Sequence, residues 1–128
     1  MDTPAKLVEI ARRLYYKNLN AAVGGNVSVR QQDGIAITPA GINKGFMTES
    51  DVVVVDLNGT KLRGAGEPSS EGKMHYEIYR QRPDVQAIIH AHPPFAVAFA
   101  LAHRDIPDDV LPEVAINLGR VPCLPYMT

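Results

Sequence analysis

Tryptophan is absent from this chain and cysteine occurs once in 128 residues. A lone Cys123 cannot form an internal disulfide and fits a reducing compartment. An excess of charge of one sign is also missing: 13 Lys and Arg stand against 14 Asp and Glu, a formal net charge of −1. With no basic run, the balance argues against nucleic acid as the main partner. No apolar run approaches the roughly 18 residues of a membrane span, and no N-terminal signal pattern is seen. Membrane insertion and export are therefore not expected, and the cytoplasm is. What remains is an ordinary globular composition, 45% apolar and 21% charged, at a length suited to one domain with a real core.

The most informative stretch runs from Val85 to Pro94. Val85 to Ile89 is short, apolar and rich in β-branched residues, and prolines bound it, so it reads as a buried strand. Strand side chains alternate faces, which puts His90 and His92 on one face, about 6–7 Å apart along the chain. Pro93 biases His92 toward extended backbone and keeps the alternation intact. Two imidazoles converging at a strand end suit a divalent transition metal. The alternative is two unrelated histidines, each hydrogen-bonded to a neighbour.

Elsewhere the patterns alternate between helix and hairpin. Thr3-Pro4 reads as a cap and first helical proline, with Leu7, Ile10, Ala11 and Leu14 at helical spacing over about 4–17. Asn26 to Arg30 and Ile35 to Thr38 read as a hairpin, Val52 to Val55 as a third strand, and Asn58-Gly59 as a tight turn into Thr60 to Arg63. Ser70 is expected to cap a helix over about 71–81, with Met74 and Ile78 on its inner face. Phe95 to His103 reads as a helix; Glu113 to Asn117 and Val121 to Leu124 read as further strands. Hairpin signals outnumber crossovers, so the expected class is α/β with a largely antiparallel sheet. The apolar ending, Val121 to Thr128, reads as a domain that breaks off, or else as a docked edge strand or oligomer contact.

A second cluster is Pro68-Ser69-Ser70-Glu71. Glu71 falls in the first helical turn, where the dipole favours a carboxylate. The helix leads into the histidine strand, so a fold-back brings Glu71 toward His90 and His92, a ligand set with open positions. Ser69 and Ser70, with free N–H groups at the helix start, suit an anion such as phosphate; ordinary capping is the alternative. Gly24-Gly25-Asn26 and Thr38-Pro39-Ala40-Gly41 are further loops with exposed donors, each weak alone. His75, four residues after Glu71, reads as a satisfied helix histidine ahead of a fourth ligand. His103 reads as a helix C-terminal charge, and the five tyrosines as generic packing or surface residues.

Five ordered segments carry a resemblance: Gly25-Asn26-Val27-Ser28-Val29-Arg30, Thr38-Pro39-Ala40-Gly41-Ile42, Thr48-Glu49-Ser50-Asp51, Pro68-Ser69-Ser70-Glu71 and His90-Ala91-His92. In order and spacing they resemble the class II aldolase/adducin family, closest to its L-fuculose-1-phosphate aldolase branch, over about residues 5–128. The resemblance implies a layered α/β/α domain whose C-terminal part is missing. It implies one zinc ion per subunit on His90 and His92, with Glu71 as resting ligand and general base. It implies phosphate binding by Asn26, Gly41, Ser69 and Ser70, and a homotetramer acting on a phosphorylated sugar. The implied reaction is aldol cleavage of a ketose 1-phosphate to dihydroxyacetone phosphate and an aldehyde. Three departures stand out. The sequence ends before the family's third zinc histidine, Ala40 replaces a common hydroxyl residue, and no tyrosine proton donor lies near Leu111-Pro112-Glu113. Epimerisation, dehydration and decarboxylation of related sugar phosphates are the family's other chemistries, and an adducin-like binding module or an inactive fragment is the rival class. The family's epimerases carry aspartate at the position of Glu71.

Overall fold

The computed structural model describes residues 3–126. The chain divides into two compact units, residues 1–92 and 93–128. The first holds α1 (Thr3–Tyr16), β1 (Asn26–Gln31), β2 (Gly34–Ile37), β3 (Val53–Val55), β4 (Lys61–Arg63), α2 (Gly72–Gln81) and β5 (Ala87–His90), with a short 3-10 turn at Glu49–Asp51. The strands form one sheet in the order β4-β3-β2-β1-β5, and every neighbouring pair is antiparallel.

The sheet is covered on both faces. Leu7, Val8 and Ala11 of α1 pack with Val27, Ala36 and Val54 on one face. Tyr76 and Tyr79 of α2 pack with Ile35, Ile37, Val53 and Val55 on the other. This is the layered α/β/α arrangement, and it explains why the central strands are apolar on both faces. Burying one such aliphatic side chain stabilises the fold by about 1.5–3 kcal/mol, so β2 and β3 anchor the unit.

Three expectations for this unit are corrected. The histidine strand is not buried. β5 lies at the sheet edge, and Ile89 is 54% exposed. Apolar composition does not report how many neighbours a strand has. α2 starts at Gly72 with Glu71, not Ser70, in the capping position, and among the described residues Glu71 makes no side-chain cap bond. The inner face of α2 is Gly72, His75, Tyr76 and Tyr79, whereas Met74 is exposed. The helix is turned by the partners it finds on β1: Ser28 Oγ meets both His75 Nδ1 at 2.7 Å and Tyr79 OH at 2.8 Å. Tyr76 and Tyr79 thus fall on the packing side of the reading given for the tyrosines.

The second unit carries α3 (Pro94–Leu101) and α4 (Pro112–Asn117). Glu113 to Asn117 is thus helical and not a strand: Pro112 sits at the first turn, after an extended Leu111. At Val121 to Leu124 the described pairing is one antiparallel bridge, Val121 to Ile106. Met127 and Thr128, the end of the expected apolar segment, lie outside the described residues. His103 follows α3 with a φ of 53° and donates its N–H to Ala100 O at 3.0 Å.

Candidate active site

The site is set by sheet register. Asn26 of β1 pairs opposite His90 of β5, so their side chains leave the sheet on the same side, the one covered by α2. His92 lies two residues beyond and is held by its backbone: its N–H donates to Leu19 O at 2.8 Å and to Asn20 Oδ1 at 3.1 Å. The two rings meet edge to face, centroids 4.8 Å apart, with their Nε2 atoms 3.1 Å apart. Two imidazole nitrogens on one tetrahedral zinc, each at about 2.0–2.1 Å, are separated by about 3.3 Å. The 3.1 Å separation is that of a hydrogen bond between the rings and is close to this ligand spacing as well.

Glu71 enters from the start of α2. Its Oε2 is 3.3 Å from His90 Nδ1 and accepts from Asn26 Nδ2 at 3.2 Å. It therefore faces the ring nitrogen away from His92. Nδ1 of His90 is buried and forms no hydrogen bond among the described residues, so the carboxylate stands near it without a formed bond. Among the described residues, no group of three or more His, Cys, Asp or Glu is arranged to hold one ion. The structure joins two imidazoles and places the carboxylate beside them.

Asn26 is fully buried and ties the cluster together, since Nδ2 also donates to Ser69 Oγ at 2.7 Å. A carboxylate can only accept, so Glu71 fixes which end of the amide is which. Ser69 is half-buried and Ser70 exposed at the start of α2. Gly41 stands in the neighbouring loop, which is fastened to the Ser69 loop by the Pro39–Pro68 bridge and by Ala40 N donating to Glu67 O at 2.9 Å. Gly41 has a φ of 70°, and the space beside its Cα is open. Asn26, Gly41, Ser69 and Ser70, which lie far apart in sequence, are thus drawn to two adjoining loops and the end of β1.

Asn20 was not singled out by sequence, and Gly24, Gly25 and His75 take positioning places that the sequence reading did not give them. Asn20 holds His92, and Gly25, with a φ of 67°, leaves room for it; a Cβ there would lie 2.4 Å from the Asn20 side chain. A Cβ on Gly24 would lie 3.5 Å from His92 Nδ1, so that glycine is a wall of the histidine site. His75 is fully buried, and burial first, then the nearby His90, lower its pKa to about 4 against the pull of Glu71. It is neutral at pH 7. Its Nδ1 is satisfied by Ser28, while Nε2 has no hydrogen-bond partner among the described residues. The available signals were Ser28, on the same strand face as Asn26, and the spacing of Glu71, His75 and Tyr79 along one helix face.

The chain is similar to known proteins in both sequence and fold. L-fuculose phosphate aldolase of Escherichia coli K12 is 37% identical over 123 residues, 96% of this chain and 57% of that protein. A 5-methylthioribulose-1-phosphate/5-deoxyribulose-1-phosphate aldolase of Rhodospirillum rubrum is 41% identical over 101 residues, 79% of this chain and 45% of that protein. Among solved structures, l-fuculose-1-phosphate aldolase from Thermus thermophilus superposes with a TM-score of 0.78 at 34% identity, covering 92% of this chain and 60% of that one. This chain therefore spans about half the length of the curated relatives it matches. The model of the Class II Aldolase and Adducin N-terminal domain matches residues 5–128. With that model matched over nearly the whole chain and relatives of 34–41% identity sharing its sequence and fold, the chain belongs to the class II aldolase and adducin family.

Proposed function

We propose that this chain carries the metal and phosphate sites of an enzyme that cleaves a ketose 1-phosphate to dihydroxyacetone phosphate and an aldehyde. The observation that carries the reading is the 3.1 Å approach of His90 Nε2 and His92 Nε2, next to a glutamate. His90 and His92 would hold a divalent metal, zinc by preference for two imidazoles. Bound there, such a metal supplies Lewis-acid polarisation of the sugar's keto and hydroxyl oxygens. Glu71 as a third donor of the resting site rests on the family resemblance alone, since here its carboxylate lies at Nδ1 of His90 and not at the Nε2 pair. Half-exposed and held by Asn26, the Glu71 carboxylate is positioned to exchange a proton with the reacting carbon of the dihydroxyacetone phosphate half.

Phosphate would be received by Gly41, Ser69 and Ser70, and by Asn26 once one of its two Nδ2 bonds, to Ser69 or to Glu71, is given up. Their two loops present hydroxyls and backbone at the start of α2, where the helix dipole favours an anion. A 1-phosphate is the feature shared by the substrates named for both sets of relatives, so the substrate class is read as a ketose 1-phosphate and the particular sugar is left open. A homotetramer in the cytoplasm is part of the same proposal, on the family resemblance. The test is aldol cleavage by the full-length protein across a panel of ketose 1-phosphates, with and without added zinc. Zinc-dependent release of dihydroxyacetone phosphate is the expected result, and inertness toward the whole panel would contradict it.

A further inference from the structure

A buried cation stands behind the loops that flank Asn26, and nothing in the proposed chemistry uses it. Lys44 is 2% exposed, and its Nζ donates to the carbonyls of Ile42 at 2.9 Å, Val23 at 3.1 Å and Pro39 at 3.4 Å. Those carbonyls belong to two segments, the turn before β1 and the loop after β2. The Lys44 backbone N–H adds a bond to Ala22 O at 3.2 Å. Three carbonyls satisfy all three donors of an ammonium, yet none neutralises its charge. Among the described residues it has no ion-pair partner, although the Glu71 carboxylate is near enough to raise its pKa against the lowering by burial.

Fastening two loops does not require a charge. A neutral side chain would do so without the heavy desolvation of an ammonium. A buried charge kept without a bonded counter-ion fits an anion that arrives from outside. The loop it holds is the one bearing Gly41, bridged to the Ser69 loop. We infer that Lys44 is a charged positioning residue of the phosphate pocket, setting the Val23 and Pro39–Ile42 backbone and drawing the phosphate dianion toward Gly41, Ser69 and Ser70. The inference rests on the phosphate reading of those residues.

The test is calorimetric titration of the full chain with inorganic phosphate and, separately, with zinc. Lys44→Met keeps the aliphatic stem and removes the charge. Its phosphate affinity is expected to fall about ten- to a hundred-fold, with zinc affinity within about twofold of the parent. A merely structural role would move both affinities, because the same turn carries Gly24 against His92. A paired Ser69→Ala/Ser70→Ala variant separates the two readings. If it loses phosphate and Lys44→Met does not, the pocket stands and the role of Lys44 is overturned. If the unmutated chain binds no phosphate, both fall. Should Lys44→Met not melt cooperatively, Lys44→Gln keeps an amide donor without the charge. Selective loss of phosphate in that variant supports the inference, and loss of the fold or of both ligands overturns it.

Discussion

Asn26 and Glu71 are joined by a hydrogen bond of 3.2 Å from amide to carboxylate, linking the first residue of β1 to the residue before α2. Because β1 also pairs with β5, that bond fixes the glutamate relative to His90, whose Nδ1 lies 3.3 Å from the same oxygen. One buried asparagine thus coordinates a strand, a helix start and a histidine edge. Glutamine at position 71 keeps an oxygen that can accept this bond, so Glu71→Gln removes the charge without releasing Asn26.

Glu71→Gln is expected to abolish the chemistry while leaving phosphate binding largely intact. The amide has nearly the shape of the carboxylate but cannot take up the proton, and loss of a positioned base costs about 10²–10⁴-fold in rate. The check is aldol cleavage compared with binding of a phosphate-bearing inhibitor in the same variant. Unchanged cleavage would remove Glu71 from the mechanism; lost inhibitor binding would make its role structural.

His75 makes stability depend on acid. Its pKa is about 4 in the fold, against 6.5 for an unperturbed histidine, because burial disfavours the charged ring. Between those values the unfolded chain binds a proton that the folded one refuses. The contribution is present above pH 6.5 and is lost as pH falls toward 4, amounting to about 3 kcal/mol across the window. Denaturant unfolding at a series of pH values should show this slope, and His75→Gln should flatten it. An equal slope in both proteins would mean that His75 does not titrate in this range.

Gly25→Ala tests the clamp on His92. Its φ of 67° and a new Cβ 2.4 Å from Asn20 combine backbone strain with a clash. Strain of this kind costs about 1–3 kcal/mol before the clash is added. Because Asn20 holds the His92 backbone, zinc affinity should fall together with stability. A lower melting temperature with unchanged zinc affinity would show that the clamp does not set the histidine geometry.

Local periodicity made the hairpins, α1 and the shared face of His90 and His92 legible in the sequence, because each depends on neighbours within a few residues. The fold-back of Glu71 toward His90 was legible too, since a short helix leading into a strand leaves few paths. What escaped depends on distant partners. The phase of α2 is set by Ser28, which meets His75 and Tyr79, and no spacing within the helix chooses them over Met74. The edge position of β5 follows from sheet order and not from its apolar residues. Asn20 and Lys44 work through carbonyl and amide contacts with segments remote in sequence, so neither type nor position announces them. At α4 five residues were too few to separate strand from helix, and Pro112 was the overlooked signal.

The central claim is that His90 and His92 form a metal centre, and zinc titration of the metal-free chain followed by calorimetry tests it most directly. One zinc per chain is expected, with binding lost or weakened at least about tenfold in His90→Ala and in His92→Ala, since each removes one of two paired nitrogens. Absence of stoichiometric zinc, or affinity unchanged from the parent in both alanine variants, would contradict the account.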